Sequence, residues 1–124
     1  MEKNKKGKYS KAIMDYLLIL GIPSHLRGFN YITYIIEYIL EYNISDIKLE
    51  KELYKMVAKE YNTRSYSVER DIRYSIEIGY IRTKASINDD VYKNSISFDK
   101  MKPSNKQFIM TVVNNIKLDY SSCR

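Results

Sequence analysis

Apolar residues recur at helical spacing along most of the chain, and each stripe predicts a helix. Ile13, Leu17 and Leu20 form the first stripe, widened by Met14 and Leu18, over residues 10–20. Ser10 can cap it, and Gly21 and Pro23 supply a permissive backbone and a stop. Ile32, Ile35, Ile36 and Ile39 predict a long helix over residues 29–42, with Tyr31, Tyr34, Tyr38 and Tyr42 on another face. Leu49, Leu53, Met56 and Val57 predict a third helix. Phe108, Ile109, Val112, Val113 and Ile116 predict a last one, starting at Pro103 or Ser104 and ending near Leu118. Residues 81–105 are polar and turn-rich, with one short helix expected near residues 87–93. No segment alternates as a strand would. The expected fold is all-α, a compact bundle of about six helices containing a helix-turn-helix.

That motif falls in residues 50–80. Asn62, Thr63 and Arg64 break the pattern. Asn tolerates the left-handed backbone that ends a helix, and Thr63 or Ser65 can cap the next. The second helix gathers Val68, Ile72, Ser75, Ile76 and Gly79 on one face, at ~100° per residue. Its opposite face carries Tyr66, Arg70, Arg73 and Glu77, with Glu69 and Tyr74 at the edges. One side is to be buried and one side of arginines presented, the layout of a helix-turn-helix. Small Ala58, Asn62 at the turn and branched Val68 between the helices fit it. An ordinary αα-hairpin with a solvated charged face shares these features, and a fold alone does not fix a function.

Length and charge narrow the reading. The 124 residues suffice for one domain, and a net charge of +6 favours a polyanion such as nucleic acid or an anionic membrane surface. No run of about 18 apolar residues predicts a membrane span. A lone cysteine, Cys123, excludes an internal disulfide and fits a reducing, cytoplasmic setting. His25, the single histidine, reads as a hydrogen-bonded structural residue. Asp89 and Asp90 lack a third ligand, so no metal and no cofactor are expected. No nucleophile–base–stabiliser set is visible, so no catalytic residue is assigned. The tyrosine row of the long helix lacks the interleaved basic residues of a single-strand binder, and helix packing explains it better.

Several stretches together resemble the C-terminal effector domain of the stage-zero sporulation protein A family. They are Gly21, Ile22, Pro23, Ser24, His25, Leu26, Arg27 and Gly28, followed by Tyr31; Ala58 with Lys59, Glu60, Tyr61, Asn62 and Thr63; Val68, Glu69, Arg70, Asp71, Ile72 and Arg73 with Ile76 and Glu77; and Lys102, Pro103, Ser104 and Asn105 with Phe108. They occur in the family's order and at nearly its spacing. The resemblance implies that the second helix of the motif enters the major groove of double-stranded DNA, with tandem sites allowing self-association. Glu69 and Arg70 match positions that meet DNA in the family, and Arg73 matches a further basic position. Arginine suits guanine edges and phosphates, and glutamate can accept from cytosine. The family carries an arginine just before the Val-Glu-Arg run; here Ser67 stands there, after Tyr66, so the preferred operator is expected to differ. The family also carries an N-terminal receiver. The basic start at Met1 leads us to expect a stand-alone chain without one.

The expected organisation is a basic flexible tail over residues 1–8, with Lys3, Lys5, Lys6 and Lys8; a helical DNA-binding domain over 9–120; and a C-terminal tail over 121–124. The expected DNA-facing residues are Tyr66, Ser67, Glu69, Arg70, Arg73 and Tyr74, with Arg64, Arg82, Lys84 and Lys102 toward phosphates. The expected function is a bacterial transcription regulator acting in the cytoplasm, on the nucleoid when bound. The alternative is an interaction module that pairs with a full-length sporulation regulator and blocks or bridges it, with Ser67 and the tyrosine helix serving that end. Nonspecific binding through the basic tail is a third reading.

Overall fold

The computed structural model describes residues 7–48, 52–83 and 102–122. These residues form five helices and no strand: α1 (Ser10–Ile19), α2 (Arg27–Tyr42), α3 (Tyr54–Glu60), α4 (Ser65–Thr83) and α5 (Asn105–Ser122). The all-α expectation holds, with five helices described against about six expected. The short helix expected near residues 87–93 lies outside the described residues, as do Lys84, Asp89, Asp90 and Cys123.

α2 is the centre. It packs against α1, α3, α4 and α5, and a helix enclosed on several sides must be apolar on several sides. Ile32, Ile35, Ile36 and Ile39 are fully buried, joined by Phe29, Tyr31 and Leu40. Each buried isoleucine contributes about 1.5–3 kcal/mol through its removal from water. Val68, Ile72 and Ile76 of α4 and Phe108, Ile109, Val112, Val113 and Ile116 of α5 complete the core.

Three helices end the same way. Gly21 (φ 86°), Asn43 (φ 53°) and Asn62 (φ 55°) take the left-handed conformation just past α1, α2 and α3. The following N–H then reaches back five residues: Ile22 to the Leu17 carbonyl, Ile44 to Ile39 and Thr63 to Ala58. Orphan carbonyls are thereby satisfied, and the chain reverses within a few residues.

Two glycines set helix spacing. A Cβ on Gly28 would collide with Ser75 Oγ and the Asp71 carbonyl, so α2 and α4 meet backbone to backbone there. A Cβ on Gly79 would come within 2.7 Å of the Leu20 carbonyl, where α4 crosses the α1–α2 connection. Both contacts lock α4, and with it the face α4 turns outward.

Several local expectations are corrected. Ser10 does not cap α1; its hydroxyl donates to buried Glu37 at 2.9 Å, because a carboxylate inside the bundle requires a donor. Leu18 is 51% exposed and Leu118 65% exposed, since α1 and α5 each have one side open to solvent. α5 runs past Leu118 to Ser122. His25 is exposed, while Ile22 is the buried residue of that connection. Arg64, neither Thr63 nor Ser65, stands before α4, its carbonyl accepting from the Val68 N–H.

Candidate nucleic-acid interface

The turn after α3 and the buried stripe of α4 together decide what α4 displays. Val68, Ile72, Ser75, Ile76 and Gly79 all face inward. Tyr66, Arg70, Arg73, Tyr74 and Glu77 are therefore exposed, Tyr66 at 67% and Tyr74 at 53%. Ser67 and Glu69 are half-buried, about 200° apart at 100° per residue, and so form opposite edges of the stripe. The six residues expected to face DNA thus share one surface.

Charge on this surface is organised. Glu69 and Arg73, one helical turn apart, form a fork: Arg73 Nε donates to Glu69 Oε2 at 2.9 Å and Nη2 to Oε1 at 3.2 Å. The hydrogen bond and charge of Glu69 hold the Arg73 guanidinium above its ordinary pKa. Arg70 lies 5.5 Å from the centre of the Tyr66 ring and 3.5 Å from Asp71 Oδ1. Its planar cation is steadied over an aromatic face and stays half-exposed.

Beneath the stripe, α5 ties down α4. Asn105 Nδ2 donates to Tyr54 Oη at 2.9 Å and to the Glu69 carbonyl at 3.3 Å, joining α3, α4 and α5 at one amide. α5 is itself started firmly. Gln107 N–H donates to Ser104 Oγ at 3.1 Å, and Ser104 N–H donates to Gln107 Oε1 at 2.9 Å, a reciprocal cap. This bears out the expected start of the last helix near Ser104.

An open hollow lies along each edge of the stripe. One, of about 560 Å³, is lined by Asn62, Thr63, Arg64, Tyr66, Ser67 and Arg70. The other, of about 710 Å³, runs between α4 and the start of α5; it carries Lys48, Arg73, Lys102 and Lys106, with Glu69, Tyr54 and Asn105 in its wall. Arg64, Lys102 and Lys106 form no ion pair with another described residue. Arg82 is not brought into this group. It is exposed, but it lies about 120° round the helix from Arg70 and about 18 Å further along. Lys48 and Lys106 were not among the expected residues; the folded arrangement brings them, with Lys102, beside Arg73.

The family described as the C terminal of the sporulation initiation factor Spo0A matches residues 13–116. The chain belongs to this family. The Spo0A C-terminal match takes in α2, α3 and α4 whole, the turn between α3 and α4, and α5 as far as Ile116. This is a family of helical DNA-binding effector domains, which supports a DNA-binding role for the chain and double-stranded DNA as its partner. Among the described residues, no group of three His, Cys, Asp or Glu could hold a metal ion, and no helix is long and apolar enough to cross a membrane.

Proposed function

We propose that the chain is a sequence-specific DNA-binding transcription regulator in which α3 and α4 act as a helix-turn-helix and α4 enters the major groove. One observation carries this reading: cations flank the exposed stripe of α4 on both sides. Arg64 and Arg70 line one hollow, and Lys48, Arg73, Lys102 and Lys106 the other. A helix lying in a groove ~12 Å wide meets a sugar-phosphate strand on each side. Cations on both edges and polar side chains between them are what such a site requires. Tyr66, Ser67, Glu69, Arg70, Arg73 and Tyr74 then face the groove floor and walls, while Arg64 and Lys102 meet phosphates.

The test is selection of preferred sites from a random duplex pool, followed by titration of Arg70→Ala. An enriched motif, and at least about a tenfold loss in the variant, is the expected result. No enriched motif and undiminished binding by Arg70→Ala would sink it. Activity on the bacterial nucleoid, through residues 9–120, follows from the same reading.

A second reading rests on the aromatic surface. Tyr61, 41% exposed, packs on Tyr31 and Tyr34 with ring centres 5.1 and 6.0 Å away, and Tyr38 stacks against Tyr42, 56% exposed, at 4.9 Å. Such a surface suits pairing with a related full-length regulator. Salt separates the two: DNA affinity falls steeply with added salt, whereas an aromatic protein contact changes little.

A further inference from the structure

Glu69 is engaged at both of its ends. Its carboxylate oxygens each accept from Arg73, at 2.9 and 3.2 Å, and its carbonyl accepts from Asn105 of α5 at 3.3 Å. Among the described residues nothing accepts from Arg73 Nη1.

We propose that Glu69 is a positioning residue for Arg73 and not itself a base-reading group. The proposal rests on α4 being the groove-facing helix. A carboxylate that grips Nε and Nη2 in a bidentate fork fixes the guanidinium plane. It leaves the Nη1 edge directed away from Glu69, free to meet a guanine or a phosphate.

Three physical arguments favour this role. An arginine side chain loses considerable rotamer freedom when it is immobilised at an interface, and a fork formed beforehand reduces that loss on binding. An unpaired carboxylate facing a phosphate-lined groove would be repelled, and the fork neutralises it. Finally, the Glu69 backbone is pinned by Asn105, which also holds Tyr54, so the fork is referenced to three helices.

The test is a double-mutant cycle on the operator selected by the unaltered chain, with Glu69→Ala, Arg73→Ala and the double variant titrated against that operator and its single-base variants. Helix content by circular dichroism checks that each variant folds. Glu69→Ala is expected to weaken operator binding about threefold or more, as neighbouring coupled residues do. It should lose discrimination at the base pair that Arg73→Ala also affects, and add nothing in the Arg73→Ala background. Glu69→Gln, whose amide oxygen still accepts from Nε, should recover part of the loss.

The proposal is overturned if Glu69→Ala removes discrimination at a separate base pair in the Arg73→Ala background, for then Glu69 reads a base directly. Unchanged binding by Glu69→Ala overturns it as well. Failure of the underlying DNA reading looks different: the unaltered chain would then select no sequence at all.

Discussion

Gly28 sits against Ser75 with no room for a methyl group between α2 and α4. Gly28→Ala sets two effects in opposition. Alanine favours a helix over glycine by about 1 kcal/mol. Overpacking a tight contact costs about 1–3 kcal/mol, and one of the obstructing atoms is the Asp71 carbonyl, which cannot rotate away. Packing should win, and thermal unfolding should show a Tm several degrees lower. An equal or higher Tm would mean that α2 and α4 separate at little cost. Truncating Ser75 in the same chain should restore only part of the loss, because the carbonyl remains.

Asn62 holds φ 55° at the turn before α4, and the Thr63 N–H closes on the Ala58 carbonyl at 2.9 Å. A side chain without Asn's local hydrogen bonding finds this conformation costly, by about 1–2 kcal/mol. Asn62→Ala should therefore lower the midpoint of urea unfolding, and Asn62→Gly should hold or raise it. Equal midpoints for alanine and glycine would show that the turn does not depend on the left-handed residue.

These two positions also show what the sequence could and could not disclose. Asn62 was legible because only a few residues accept a positive φ and it lay between two apolar stripes. The stripes of α2, α4 and α5 were legible because burial imposes a period of 3.6 residues. The contact of Gly28 with Ser75 joins segments 47 positions apart, and no local pattern encodes such a pairing. The exposed face of α4 was readable residue by residue, yet the cations beside it were only half found. Lys102 was named, while Lys48 and Lys106 were not; all three are remote from α4 in sequence, and it is the packed bundle that sets them beside it. Ser10 misled because a serine at a helix start usually caps; buried Glu37, 27 residues away, draws its hydroxyl instead.

Tyr16 and Asp119 link α1 to α5, the phenol donating to Oδ2 at 2.6 Å. Burial first, then the hydrogen bond and charge of Asp119, push the Tyr16 phenol up to about 12. In the unfolded chain it ionises near 10. The folded state therefore keeps its proton longer, and the link contributes its full stability below about pH 10 and loses it between about pH 10 and 12. Burial also raises Tyr31, Tyr34 and Tyr61, so stability falls in strong base whatever happens at Tyr16. Tyr16→Phe isolates the one contribution. Urea unfolding at successive pH values should show the unaltered chain losing stability more steeply across that window. Parallel curves would refute the link.

Asn105 joins Tyr54 to the Glu69 carbonyl, and both partners are held by the same amide nitrogen. Asn105→Ala should cost about 1 kcal/mol for each net hydrogen bond lost, less any water that enters. Asn105→Asp has no amide donor and should be at least as damaging, because a carboxylate would oppose the Glu69 carbonyl. Hydrogen exchange offers a sharper readout than a melt. Amides in the first two turns of α4 should exchange faster in Asn105→Ala, while those of α1 stay protected. A uniform change across all the helices would assign Asn105 to general stability and not to holding α4.

The cations along the two edges of α4 make the most direct prediction about binding. Each phosphate neutralised by a lysine or arginine releases counterions, and the logarithm of affinity falls with the logarithm of salt concentration at about 0.9 per phosphate. Lys102 and Lys106 line the hollow beside Arg73, and Arg64 lines the one beside Arg70. None of the three is neutralised by a described carboxylate. Replacing Lys102, Lys106 or Arg64 by alanine should each weaken binding to every duplex to a similar degree and reduce the salt slope by about 1. Arg70→Ala should behave differently, reducing discrimination between operator and nonoperator duplexes more than it changes the slope. Titrations at four or five salt concentrations on both kinds of duplex measure both quantities together. If the lysine variants keep the full slope while the operator is still bound, the strand beside α5 is not where the phosphates run. The duplex would then be held from the Arg64 edge alone.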